Sequence, residues 1–198
     1  MKRLLDAVSV STAMALLSLG VTIGVATASP PSLSGELLGS RAMPTGWNVA
    51  HPSSKADVGC FQSLFKRKGL QPTRYAKVGY EDRTTLQVFV EALATYAKTN
   101  DAYMNIIATI SGCKRVDALT GGKATSIVAR RMPFTHYGNA STAFSLRLEV
   151  QGLSFRDDML VVRKGGVIMG IEEGGFPQVD SHQFEGLIAK ALARLATR

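Results

Sequence analysis

The clearest pattern along the chain lies in AFSLRLEV, residues 143–150, where apolar and polar residues alternate from Phe144 to Val150. A period of two predicts a β-strand with one packed and one polar face, as in an antiparallel sheet with helices on one side. Strands are also predicted at TRYAKVGYED (73–82) and TSIVARRMPF (125–134). In MLVVRKGGVIMGIEEGG (159–175), two apolar strands are predicted around a turn at Lys164-Gly165-Gly166, because glycine tolerates positive φ.

Other stretches repeat their apolar residues with the period of a helix. Helices are predicted over residues 54–68, over 86–97 and from Tyr103 to Cys113. An amphipathic C-terminal helix is expected to start at Asp180 or Ser181, with Gln183 as a capping-box partner, and to cover the sheet. The expected fold class is therefore α+β: an antiparallel sheet of about five strands backed by helices, with the C-terminal amphipathic helix on the sheet.

The N-terminus has the pattern of a secretory signal. Lys2 and Arg3 precede an uncharged apolar stretch, and small residues at Ala26 and Ala28 favour cleavage after Ala28. The alternative is an uncleaved membrane anchor, since the uncharged stretch is about as long as the roughly 20 residues that a bilayer needs. We predict a signal peptide over residues 1–28, a flexible leader over 29–43 and a single domain over 44–198.

The chain is basic, with a formal net charge of +8. An exported basic protein is attracted to anionic headgroups or acidic wall polymers, although scattered lysines and arginines also serve plain solubility. Nucleic acid is not expected as a partner, because export removes it and no strand interleaves basic with aromatic residues. The expected partners are a small or lipidic ligand or an envelope polyanion, with association to the membrane surface possible.

Both cysteines, Cys60 and Cys113, lie in the exported part. An even count in an oxidising compartment favours one disulfide between them, and closure of such a loop stabilises a fold by roughly 4 kcal/mol. The alternatives are a cysteine nucleophile or a metal pair, and neither cysteine has a ligand-spaced His or second Cys.

The sequence offers little for catalysis. A Ser-His-Asp site can be composed from Ser141, His136 and Asp157, but no G-x-S-x-G elbow supports it. The acidic pairs 81–82, 157–158 and 172–173 are interpreted as solvated strand ends, because adjacent strand residues face opposite ways. No cofactor and no metal site is predicted.

Arginines on the polar sheet face are the best candidates for binding. Arg147 lies on that face of AFSLRLEV, and either Arg130 or Arg131 must share it if the strands pair. Two guanidinium groups together can hold a carboxylate, phosphate or sulfate, and we take Arg131 and Arg147 as the candidates. The alternative is cross-strand pairing with Glu149 and Glu172.

The order of these features resembles a known family. MPTGWNV at the start of the domain, Cys60, then SGCKRV, AFSLRLEV and the Gly-Gly hairpin before a final helix are similar to the extracellular sensor domain of mycobacterial Ser/Thr receptor kinases. Their stand-alone secreted and lipoprotein relatives are similar too, over roughly Glu36 to Ala196. The resemblance implies a helix-backed antiparallel sheet, a cleft and an extracellular ligand. The kinase sensor has two disulfides and many relatives a lipobox, and this chain lacks both.

The sequence thus favours a secreted, non-enzymatic, sensor-like domain of the cell envelope. A cell-envelope hydrolase and a protein-binding or inhibitor module are the alternatives. A polar, cation-lined cleft would favour the sensor-like domain. A His near a Ser or Asp in that cleft would favour the hydrolase, and a flat apolar patch would favour the protein-binding module.

Overall fold

A computed structural model describes residues 32–50, 64–67, 69–113, 115–117, 124–150 and 153–195. They belong to one compact unit, Pro31–Arg198. The predicted signal peptide, Cys60 and most of the helix predicted over 54–68 lie outside the described residues, and residues 64–66 form a turn and a bend.

The described residues form one antiparallel sheet with a helix on each face. Seven strands run in the order β1-β2-β3-β8-β7-β6-β5, and the short β4 extends the edge by pairing with β5. The predicted class is correct, but the sheet has eight strands rather than about five. The strands are β1 Asn48–Ala50, β2 Arg74–Asp82, β3 Gln87–Thr95, β4 Arg115–Asp117, β5 Ala124–Met132, β6 Ala140–Val150, β7 Leu153–Lys164 and β8 Val167–Gly175; the helices are α1 Thr99–Ser111 and α2 Ser181–Leu195.

The helix predicted over 86–97 is wrong, because this stretch is strand β3. Phe89 and Leu93 are buried on one face of the sheet, and Ala92 and Ala94 are buried on the other. A strand buried on both faces is apolar at nearly every position, so its apolar residues also satisfy a helical period.

Each face of the sheet has its own core. We call the two sides the α2 face and the α1 face after the helix that packs on each. The α2 face includes Phe89, Leu160, Met169 and Ile171 of the sheet with Phe184, Leu187, Ile188 and Ala191 of α2. The α1 face includes Phe144, Leu146, Met159 and Ile168 with Ile106, Ile107 and Ile110 of α1.

Residues 33–43, here the N-terminal strap, are packed rather than a flexible leader. Leu33, Leu37, Leu38 and Met43 are buried in the α2-face core, and two short 3₁₀ helices occur at Leu33–Glu36 and Ser40–Ala42. The packed domain therefore begins before Pro44. Apolar residues spaced among Ser, Pro and Gly gave no regular period that could reveal this packing.

Polar contacts fasten the strap to β2, β3 and α2. The Leu38 N–H donates to Glu91 Oε2 at 2.7 Å, and the Tyr80 hydroxyl donates to the Leu38 carbonyl at 2.7 Å. Arg194 donates to the Gly35 and Glu36 carbonyls, and Lys190 Nζ donates to Ala42 O at 2.7 Å.

The start of α2 and the β7–β8 turn follow the sequence prediction. Asp180 Oδ1 accepts hydrogen bonds from the His182 and Gln183 backbone N–H groups, as an N-cap does. The Gln183 side chain does not complete a capping box but contacts the sheet. Lys164 pairs with Val167 across the turn, where Gly165 has φ +56°.

Candidate functional site

A polar patch lies on the α2 face, at the end of the sheet where α2 begins. It consists of Arg130, Ser145, Arg147, Arg156 and Asp158. The strand register creates it, because Arg147 pairs with Arg156 and Ser145 pairs with both Arg130 and Asp158. Residues paired across neighbouring strands point to the same face, so five polar side chains from β5, β6 and β7 form one surface.

The cations of the patch face solvent, while its acid is buried. Arg130 and Arg147 are exposed. The Arg156 side chain is 43% exposed and Asp158 only 1%. Arg156 Nε and Nη2 donate to the two Asp158 carboxylate oxygens at 3.0 and 3.1 Å, a two-point contact that fixes the guanidinium plane. Arg147 Nε donates to Ser154 Oγ at 2.9 Å.

A second buried acid, Glu173, lies beside Asp158 across β7 and β8. Its Oε1 accepts a hydrogen bond from Gln183 Nε2 at 2.8 Å, and its buried Oε2 has no hydrogen-bond partner among the described residues. Burial raises the pKa of Glu173 to about 7; the Gln183 hydrogen bond opposes the rise, and the Asp180 and Asp158 carboxylates add to it. The first turn of α2 therefore contacts this acidic pair through the hydrogen bond from Gln183 to Glu173.

An open surface depression of about 520 Å³ adjoins the patch at the start of α2. Gln87 and Arg156 of the sheet and Asp180 and His182 of the helix are among its lining residues. The patch therefore continues into a concave polar region. Among the described residues, no group of three or more His, Cys, Asp or Glu side chains is placed to hold a metal ion.

The structure does not bring the predicted pair Arg131 and Arg147 together. Arg131 pairs with Phe144, whose ring is in the α1-face core, whereas Arg147 pairs with Val128 and Arg156 on the α2 face. The two guanidinium groups are on opposite sides of the sheet. Of the two arginines that sequence left open, Arg130 is the one that shares the face of Arg147.

The Ser141, His136 and Asp157 triad is not assembled. Ser141 pairs with Val162 and Asp157 with Leu146, five residues farther along β6. At about 3.3 Å per residue the two positions are roughly 17 Å apart, and they are on opposite faces. Ser141 Oγ instead accepts the Tyr137 backbone N–H at 3.0 Å.

The sequence predicted that the acidic pairs are solvated strand ends. This prediction is wrong for several of their residues, which are buried. Asp158 and Glu173 are at most 1% exposed, and Asp82 is buried and accepts the Thr84 N–H at 2.8 Å. Burial, with Glu172 and Asp158 nearby, raises the pKa of Asp157 well above its ordinary value. Glu81 is half-buried and forms an ion pair with Arg83 at 2.7 Å.

Cys113 is buried just after α1, in the α1-face core. No free cysteine occurs in the part of the chain that the structure describes. Cys60 lies outside the described residues, so the Cys60–Cys113 disulfide stays a prediction.

Sequence reasoning missed most of the patch. Arg156 and Asp158 are two residues apart on one strand, which is a same-face spacing that could have been noticed. The contact between Glu173 and Gln183 could not be predicted from residue spacing, because it depends on how helix α2 packs on strand β8.

The fold resembles that of the extracellular domain of PknH from Mycobacterium tuberculosis, with a TM-score of 0.58. The identity is 11%, and the alignment covers 83% of this chain and 95% of that domain. At this identity the likeness concerns the fold. No known protein family matches the sequence, and no curated protein matches it significantly.

No helix among the described residues is long and apolar enough to cross a membrane.

Proposed function

We propose that this protein is an exported, non-enzymatic binding domain of the sensor type, which takes a ligand from the cell envelope at the polar patch. The observation that carries this proposal is the fold, which resembles nearly the whole of the extracellular domain of PknH. The sequence supports export independently through its N-terminal signal pattern. The solvent-facing arginines beside a concave region supply the surface on which a ligand could be held.

Native mass spectrometry of the protein purified from its own secretion host tests this proposal. We expect a co-purifying molecule at a one-to-one ratio that is released when the domain is unfolded. A ligand-free protein that turns over envelope material would contradict it.

One observation favours a second function, that of a hydrolase. Asp158 and Glu173 are adjacent carboxyl groups in different environments: burial raises the pKa of Glu173 to about 7, and Asp158 contacts Arg156. Carboxyl pairs with different environments serve as acid and base in many hydrolases. Here both groups are nearly inaccessible, with exposures of 0% for Glu173 and 1% for Asp158, which favours a structural role. Loss of an envelope-hydrolysing activity in Glu173→Gln, with its fold intact, would favour the hydrolase.

We also propose that the mature protein starts after Ala28 and carries a Cys60–Cys113 disulfide. The burial of Cys113 is consistent with a bond that ties α1 to the segment before β2. Intact-mass measurement with and without reduction, followed by alkylation, tests both points. An untrimmed chain with two alkylated thiols in the natural host would contradict export.

A further inference from the structure

The patch has a geometry suited to one anionic group. Arg147 lies directly opposite Arg156, and Arg130 is the diagonal neighbour of Arg147. Such positions place Cβ atoms about 4.5–5.5 Å and 7–8 Å apart, respectively. An anion between them could accept hydrogen bonds from guanidinium groups of both strands.

The charge that this surface presents to solvent is positive. Arg130 and Arg147 are exposed, and Arg156 is half-exposed, whereas Asp158 and Glu173 are buried. Glu149 belongs to the same face by alternation, and its side chain lies outside the described residues. The charged side chains that the described patch exposes to solvent are therefore the three arginines.

We propose that the polar patch binds a phosphate group carried by a water-soluble ligand, with Arg130, Arg147 and Arg156 as its donors. This inference rests on the proposed function, since it names the ligand class of the same site. Arginine presents a planar fork of N–H donors that matches phosphate oxygens. A phosphate has three strong acceptor oxygens and about −1.5 to −2 charge at neutral pH, which three guanidinium groups can match better than a carboxylate can.

The position of α2 favours a soluble ligand over a bilayer surface. Helix α2 packs on the same face of the sheet, and its first turn contacts β8 beside the patch through Gln183. A helix lying on a sheet rises about 10 Å above it. A flat membrane resting on α2 would not reach the arginines, whereas a soluble molecule would.

Titration calorimetry at low salt, with inorganic tripolyphosphate as the probe, tests the inference. We expect one-to-one binding by the wild-type mature protein. Arg130→Ala and Arg147→Ala should each weaken it at least tenfold. Arg131→Ala is the matched control, because it removes the same charge one residue away but on the opposite face. Its affinity should stay within twofold of wild type, and thermal melting should show that all three variants are folded.

Each other outcome has a distinct meaning. Equal weakening by Arg131→Ala would overturn the inference in favour of general charge attraction, as would a wild-type protein that does not bind the probe. Binding to phosphatidylglycerol vesicles without binding to tripolyphosphate would overturn the choice of a soluble ligand. If native mass spectrometry then finds an uncharged ligand, only the phosphate inference fails. If it finds none and no probe binds, the proposed function fails as well.

Discussion

The absence of a side chain at Gly170 makes room for the Phe65 ring on the α1 face of the sheet. The ring of Phe65 packs directly over Gly170 on β8, and a Cβ built there would lie 2.5 Å from Phe65 Cζ. The Tyr96 hydroxyl donates to Phe65 O at 2.8 Å, so the turn that carries this ring is fastened to β3. The Phe65 ring can pack on the sheet here because Gly170 has no side chain.

Gly170→Ala should therefore lower the free energy of unfolding by roughly 1–3 kcal/mol, as overpacking of a core does. Chemical denaturation measures the change. Gly166→Ala is the control, since no atom lies within 4 Å of its added Cβ. Equal destabilisation in both variants would show that loss of glycine, rather than the contact with Phe65, is responsible.

Two arginines of the patch should differ in their effect on stability. Arg147 is exposed, so Arg147→Ala should change the free energy of unfolding by no more than about 0.5 kcal/mol. Arg156→Ala leaves the buried Asp158 carboxylate without its two-point partner and should cost roughly 1–3 kcal/mol. A collapse of thermal stability in Arg147→Ala would make that arginine structural and remove it from the proposed site.

Among the elements, the N-terminal strap is held by isolated polar contacts in addition to its buried apolar side chains. The Tyr80 hydroxyl and the Glu91 carboxylate bind the carbonyl and the N–H of the same residue, Leu38. No regular secondary structure holds this residue, so these two bonds set its position on the sheet. The strap is therefore expected to open locally when either bond is lost.

Tyr80→Phe should accelerate amide hydrogen exchange in residues 33–43 and destabilise the domain by about 1–2 kcal/mol, because the buried Leu38 carbonyl loses its donor. Tyr103→Phe serves as the control, since its hydroxyl contacts Thr142 at 2.8 Å and the residue belongs to the α1-face core. If both variants accelerate exchange in the strap equally, the strap is not held by Tyr80.

Most of the elements that sequence predicted well have one buried face. The hydrophobic period identifies strands β2, β5 and β6 and helices α1 and α2. The β7–β8 hairpin is buried on both faces, and its Gly-Gly turn identified it instead. Strand β3 was mistaken because both of its faces are buried. The patch was only partly predictable, since alternation places Arg147 on a polar face but only the β5–β6 register distinguishes Arg130 from Arg131.

At the scale of the whole molecule, buried carboxyl groups link stability to pH. Burial raises the pKa of Glu91 to about 7, although the Leu38 N–H and Arg194 oppose the rise. Glu173 is raised to about 7 as well, and the pKa of Asp157 is raised in the same direction. A raised carboxyl pKa means that the folded state binds more protons than the unfolded state, so stability decreases as pH rises.

The free energy of unfolding should therefore fall between about pH 4.5 and pH 7 and level off above pH 7. A single carboxyl group with a pKa raised as far as that of Glu91 should account for a decrease of roughly 3 kcal/mol. Denaturant titrations at pH 5 and pH 8 measure this difference. Glu91→Gln should reduce the pH dependence, because it removes the titrating group while keeping an acceptor for Leu38. A variant with the full wild-type dependence would show that other groups cause it.

The central claim is that the α2 face of strands β5–β7 is where this domain holds its ligand. Two-dimensional NMR of the arginine side-chain Nε–H groups, before and after addition of the co-purified ligand, tests it most directly. The account predicts that the signals of Arg130, Arg147 and Arg156 shift while that of Arg131 stays in place. A shift of Arg131 alone, or no shift among the four when the ligand is bound, would contradict it.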